Sequence, residues 1–219
     1  MWDSSTITMI LKGLLETIYM TFLSTFVAYI IGLPLGVLLV TSESNGISPL
    51  PKLNKALNLV VNVVRSVPFL ILLVAVLPFT RFIVGTTIGS TATVVPLVIA
   101  SAPFIARLVE SSMQEVERGV IEAAVSMGCS PFQIITKVMI PESVPSLIMG
   151  AAIATTTILS YSAMAGFVGG GGLGDIAIRY GYNRYEYDIM IVTVVILVII
   201  VQVAQEIGTK IAKKKDKRK

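Results

Sequence analysis

Few side chains in this sequence can make or break bonds. It has no histidine and a single cysteine, Cys129, so a histidine-based triad, a His/Cys zinc cage and an internal disulfide are all excluded. A lone thiol is more often a packing residue than a nucleophile. One run invites a nucleotide reading: Gly169, Gly171 and Gly174 have the spacing of a dinucleotide-binding fingerprint. Yet an apolar stretch precedes it in place of a strand, and no lysine stands where a phosphate loop needs one. No GxxxxGK[ST] segment occurs anywhere, so this chain is expected neither to bind a nucleotide cofactor nor to hydrolyse ATP. Gly169, Gly170, Gly171 and Gly172 are expected to break a helix instead, since glycine lets the backbone turn and pack tightly. Catalytic residues and metal ligands are both expected to be absent.

The surrounding sequence sets a different task. Of 219 residues 54% are hydrophobic and 14% charged, against about 25% charged in a soluble domain, and mean hydropathy is +0.85. Such a chain lacks the polar surface to remain in water. The net charge of +4 comes from the end of the chain, where residues 210–219 hold seven Lys/Arg and one Asp. The pI of 9.2 therefore reports a basic tail beside a membrane, and no nucleic-acid partner is expected.

A hydrocarbon core about 30 Å thick takes roughly 20 apolar helical residues, because lipid satisfies no backbone polar group. Five runs supply them, at about 17–42, 56–80, 82–106, 143–168 and 187–208, and predict an all-α polytopic membrane protein. Pro68 and Pro78 interrupt the second run, and apart from Asp188 and Glu206 at the ends of the fifth, Arg65 is the only charge inside a span, near an end where it can snorkel, pack or pair. Basic residues favour the cytoplasm, so the tail puts the C-terminus inside and five spans put the N-terminus outside. Twelve Lys/Arg then lie inside against four outside, a balance that rests on the tail. Residues 1–16 become an N-terminal extracytoplasmic segment with no cleaved leader expected. Residues 17–209 form the membrane domain, with a cytoplasmic loop at 107–142, and 210–219 are the cytoplasmic tail. Gly32 and Gly36 in the first span have small-xxx-small spacing, read as close helix packing or as part of a moving gate. Tyr180, Tyr182, Tyr185 and Tyr187 fit an interfacial belt or a partner contact before the fifth span.

The loop reads as a short pair of helices. Glu115 to Met127 is predicted helical, with Gly128 as its stop; Ser130 and Gln133 can form a capping box around Pro131; Pro141 is expected to end the second helix. The loop carries three basic and five acidic residues, whereas helices lying in the headgroup layer are rich in Lys/Arg, so a protein partner is expected there.

Glu122-Ala123-Ala124, Gly128 six positions after the Glu, then Val138, Ile140 and Pro141, resembles the EAA loop of importer-type ABC transporter permeases. Val138 and Ile140 stand where that pattern has Ile and Leu, apolar swaps of similar shape. The likeness continues through Arg65 to Phe69, Ile83 to Gly89, Ala102 to Arg107, Tyr161 to Gly166 and the Gly-rich stretch to Tyr182. There it is similar to the methionine-importer branch, the D-/L-methionine permeases. The resemblance implies a type I ABC importer permease fold, working as a homodimer in a prokaryotic plasma (inner) membrane. It also implies two ABC ATPase subunits that bind ATP and Mg, and an extracytoplasmic methionine-binding protein, lipid-anchored or free. Glu122, Ala123, Ala124, Gly128 and Pro141 would dock on the ATPase.

Tyr161, Ser162 and Met164 are the candidates for the translocation path or gate: an aromatic wall, a hydroxyl and a flexible thioether among small residues. Helix packing is the competing account of all three. The Gly169–172 break would then lie at the outer mouth. Other classes fit less well. A nucleotide-independent carrier or channel predicts titratable groups or charge rings in the membrane, and an intramembrane enzyme predicts paired carboxylates or an activated nucleophile there. An importer of the same architecture for another amino acid or small solute is the nearer alternative.

Overall fold

The computed structural model describes residues 3–216 and is helical nearly throughout. Among the described residues there are ten α-helices: α1 (Ser4–Thr41), α2 (Pro51–Ser66), α3 (Phe69–Ala75), α4 (Leu77–Val84), α5 (Ser90–Gln114), α6 (Arg118–Ser126), α7 (Pro131–Ile134), α8 (Ile140–Met164), α9 (Gly172–Ile176) and α10 (Tyr187–Lys215). Wider turns with i→i+5 bonding fill Ile135–Met139 and Ala177–Tyr182. The tail is helical through Lys215, and Lys217, Arg218 and Lys219 of the basic cluster lie outside the described residues.

Four helical stretches are long and apolar enough to cross a membrane: Ser4–Thr41, Ser90–Gln114, Pro131–Tyr182 and Tyr187–Lys215. A fifth exists if α2 and α3, bent by 102°, count as one broken span. The run expected as one helix over 56–80 is thus divided. Pro68, with φ −56° and ψ 136°, has no N–H to give, and a proline steers the residue before it out of helical geometry. The run at 82–106 is divided as well. Gly85 caps α4 in the left-handed conformation at φ +82°, Gly89 sits at φ +97°, and a new helix starts at Ser90. That helix runs on to Gln114, so the segment read as a loop from 107 begins inside α5 and ends inside α8.

The chain divides into two units. The first comprises Met1–Val27, Val67–Ser101 and Thr155–Gln205, with Met20, Leu73, Leu97, Ile158 and Leu173 fully buried in it. The second comprises Ala28–Ser66, Ala102–Ala154 and Glu206–Lys219. Its buried centre holds Leu39, Val61 and Ala106, with Leu35 and Leu57 packed around them. There α1 lies against α5 at backbone distance. A Cβ on Gly32 would fall 2.8 Å from the Ala102 carbonyl oxygen, and one on Gly36 would fall 2.5 Å from that of Ala106. Without a side chain at either position the two backbones can meet.

Candidate functional site

In the second unit, the helix pair after α5 is held by its ends. Val116 is buried and its N–H closes the last turn of α5 onto Met113 O, so α6 starts at Arg118 rather than at Glu115. At the other end, Gly128 takes φ +79°, its N–H donates to Val125 O, and the Cys129 N–H donates to Ala124 O. That 5→2 and 6→1 pairing is a Schellman motif, which satisfies carbonyls the helix end leaves free. Two residues on, the Ser130 hydroxyl accepts from the Gln133 N–H and the Gln133 side chain accepts from the Ser130 N–H, a complete capping box at α7. The turn between α6 and α7 is therefore short and fixed by four hydrogen bonds.

Pro141 does not end the second helix. The chain continues from Pro131 into α8 because the Ile140 N–H donates to Ile135 O, five residues back. A proline ring strains the turn before it in a regular helix, and a widened turn relieves that strain without stopping the chain. On α6, Ala124 is buried whereas Glu122 and Ala123 are exposed. Glu122 and Arg118 line a cavity of about 350 Å³ with Glu43, Gln114 and Met139, where the Gln114 side chain donates to Glu43 at 2.8 Å. Beside these charges stand exposed apolar side chains: Val125 at 54%, Met127 at 76% and Phe132 at 73% of full exposure. Apolar groups rimmed by charge mark an interaction surface, for a protein or for a membrane.

The first unit holds the other candidates. The Tyr161 ring stacks on Phe69, centroids 4.4 Å apart and planes 3° from parallel. Ser162 is buried, and its hydroxyl donates to Leu159 O at 2.7 Å on its own helix. Met164 is exposed. Ser162 thus turns away from the open face that carries Met164, and Tyr161 is paired with α3. After α8 a tight 3₁₀ turn over Ala165–Val168 leads to Gly169, Gly171 and Gly172, all at positive φ, and then to α9. Here the α-helix has given way to the tight turn and the chain passes through left-handed glycines. Asp175 on α9 is buried and ion-paired with Arg179.

Three groups carry geometry that the residue patterns did not single out. Glu16 and Thr17 of α1 bond to the Gly-rich turn. Arg107 of α5 donates to Asn58 at 2.6 Å, to Asn62 at 2.8 Å and to Glu110 at 2.5 Å. Asn58 in turn donates to Asn54, whose amide reaches Leu39 O at 2.7 Å. A sequence signal existed: Asn54, Asn58 and Asn62 recur every four residues along α2. Arg65, on the last turn of the same helix, is exposed.

Comparison with known proteins adds the context of this geometry. Residues 32–214 match the family described as binding-protein-dependent transport system inner membrane component. The probable D-methionine transport system permease protein MetI of Vibrio cholerae serotype O1 is 49% identical over 217 residues, covering 99% of this chain and 96% of that protein. The D-methionine transport system permease protein MetI of Escherichia coli K12 is 48% identical over 158 residues, 72% of this chain and 73% of that one. Among solved structures, an inward-facing MetNI methionine ABC transporter superposes with a TM-score of 0.97 at 44% identity, over 99% of this chain and 100% of that one. An amino acid ABC transporter shares the fold at a TM-score of 0.78 and 20% identity, over 98% of this chain and 99% of that one.

Proposed function

Because this chain belongs to the family of binding-protein-dependent transport system inner membrane components, with the fold of a type I ABC importer permease, we propose that it is the transmembrane subunit of an ATP-driven methionine importer. The observation that carries the proposal is the likeness to a D-methionine permease along nearly the whole chain. In this reading the chain works as a homodimer in the inner membrane with its C-terminus in the cytoplasm. Two ATPase subunits bind ATP and Mg, and an extracytoplasmic binding protein delivers methionine.

Transmission of the ATPase stroke falls to α6 and α7. A coupling element must move as a solid piece, and the Schellman turn at Gly128 followed by the capping box at Ser130 supports that role. Glu122 offers a carboxylate, Ala123 permits close approach, and the exposed Val125, Met127 and Phe132 supply apolar contact. Pro141, inside the continuous helix, joins the coupling element to α8 rather than separating them. Tyr161 and Met164 then sit on α8, the helix that follows this element along the chain. Ser162 serves that helix as a packing residue.

The test is uptake of labelled methionine by cells lacking their own methionine importers, expressing this chain with its neighbouring ATPase and binding protein. Uptake that requires ATP, is competed by methionine and is lost in Glu122→Lys at unchanged permease abundance is the expected result. If the three subunits copurify but methionine stays outside, the cargo is another amino acid or small solute. Wild-type uptake by Glu122→Lys would remove the coupling role.

A further inference from the structure

We propose that Glu16 is a positioning residue of the gate, holding the Gly-rich turn to α1 through the Gly172 N–H; the proposal rests on the importer reading given above. The turn after the 3₁₀ segment begins α9, whose first N–H groups have no partner inside their own helix. Two are taken up from α1. One Glu16 carboxylate oxygen accepts the Gly172 N–H at 2.8 Å, and the Thr17 hydroxyl accepts the Leu173 N–H at 2.9 Å while donating to Gly13 O at 2.9 Å. The other Glu16 oxygen faces Lys12 at 3.9 Å.

The glycines make this approach possible. A Cβ on Gly171 would lie 2.9 Å from the Glu16 oxygen, and one on Gly172 would lie 2.6 Å from the Thr17 hydroxyl. On its other side the turn is tied to the start of α5: the Gly89 N–H donates to Gly169 O at 3.0 Å and the Thr93 hydroxyl donates to Gly170 O at 3.1 Å. Four hydrogen bonds, two from α1 and two from the start of α5, thus fix Gly169, Gly170, Gly172 and Leu173, just past the 3₁₀ turn that follows the helix carrying Tyr161 and Met164. A carboxylate is suited to this place, since a charged acceptor bonds a backbone N–H more strongly than a neutral one does. A displacement of α1 against the turn must break or carry these bonds, so Glu16 acts through the turn and touches no cargo.

The experiment uses the assembled transporter in lipid nanodiscs, comparing wild type with Glu16→Ala, Glu16→Gln and Glu16→Ser. Amide exchange is measured at residues 171–174, nucleotide-free and trapped with ATP and vanadate, and uptake kinetics are measured in proteoliposomes. Loss of a hydrogen bond to a charged acceptor is expected to speed exchange about tenfold in Glu16→Ala and to abolish its response to nucleotide. The maximal uptake rate is expected to fall with KM unchanged. Glu16→Gln keeps an acceptor oxygen and should restore both readouts. Wild-type exchange and uptake in Glu16→Ala would overturn the proposal, as would a Gln variant as defective as Ala. Should the Ala variant fail to assemble, Glu16→Ser, with a side chain too short to keep the bond to the Gly172 N–H, takes its place: normal exchange and normal uptake there would also overturn it. A wild-type complex silent for methionine would refute the cargo and leave this inference standing or falling on the exchange data.

Discussion

Glycines at three positions do three different things, and substitution separates them. Gly128 has open space around it but a φ of +79°, a conformation costing an L-residue about 1–2 kcal/mol. Gly128→Ala should therefore leave the complex abundant while lowering uptake severalfold, because the strain falls on the turn between α6 and α7. Gly36 is ordinary helix, yet its missing Cβ would press 2.5 Å from the Ala106 carbonyl oxygen. Gly36→Leu should prevent accumulation of folded permease, read by immunoblot of membranes. Gly119 lies on α6 with nothing within 4 Å, and Gly119→Ala should be neutral or stabilising by up to about 1 kcal/mol. Sequence spacing alone made the roles of Gly36 and Gly128 legible. The role of Glu16 was not, because nothing along the chain indicates that a carboxylate of the first helix meets a backbone N–H 156 residues away.

At the scale of elements, α2 reverses the pattern of a helix in a soluble protein, as a membrane helix does. Its polar residues Asn54, Asn58 and Asn62 reach α1 and α5, while Leu59, Val60 and Val63 face outward. Arg107 is the hub of that contact. Removing it strands the carboxylate of Glu110, which is 8% exposed, and breaking one partner of a buried pair costs about 3–5 kcal/mol. Arg107→Ala should lower the thermal midpoint of the purified permease by roughly ten degrees, since each kcal/mol moves a domain of this size about 2–4 °C. On the helix pair, Phe132→Ser combined with Met127→Ser should weaken copurification of the ATPase without altering that midpoint, because both side chains are exposed. The capping box and the Gly128 stop were readable from residue types because short-range backbone geometry decides them. The passage of the helix through Pro141 was not, since it depends on a widened turn that begins six residues earlier. The bend between α2 and α3 was only half readable. Pro68 announces an interruption, and no local rule announces its angle.

For the whole molecule, the apolar composition and the five runs were enough to indicate a helical membrane protein, and the broken runs were the part that composition could not resolve. The two units have a further consequence. Five boundaries separate their pieces, and four of them fall inside α1, α5, α8 and α10; the fifth lies at the bend between Ser66 and Val67. Neither unit is a contiguous stretch of sequence. Recombination between related permeases therefore cannot exchange one unit and spare the other without splicing through the middle of four helices. Such a fold is inherited entire: hybrids joined at residues 42–50 or 183–186, outside helices, should assemble only where both parents already agree across the contacts of each unit. Paired substitutions that keep a contact, rather than transplanted segments, are the route by which this architecture can acquire a new cargo.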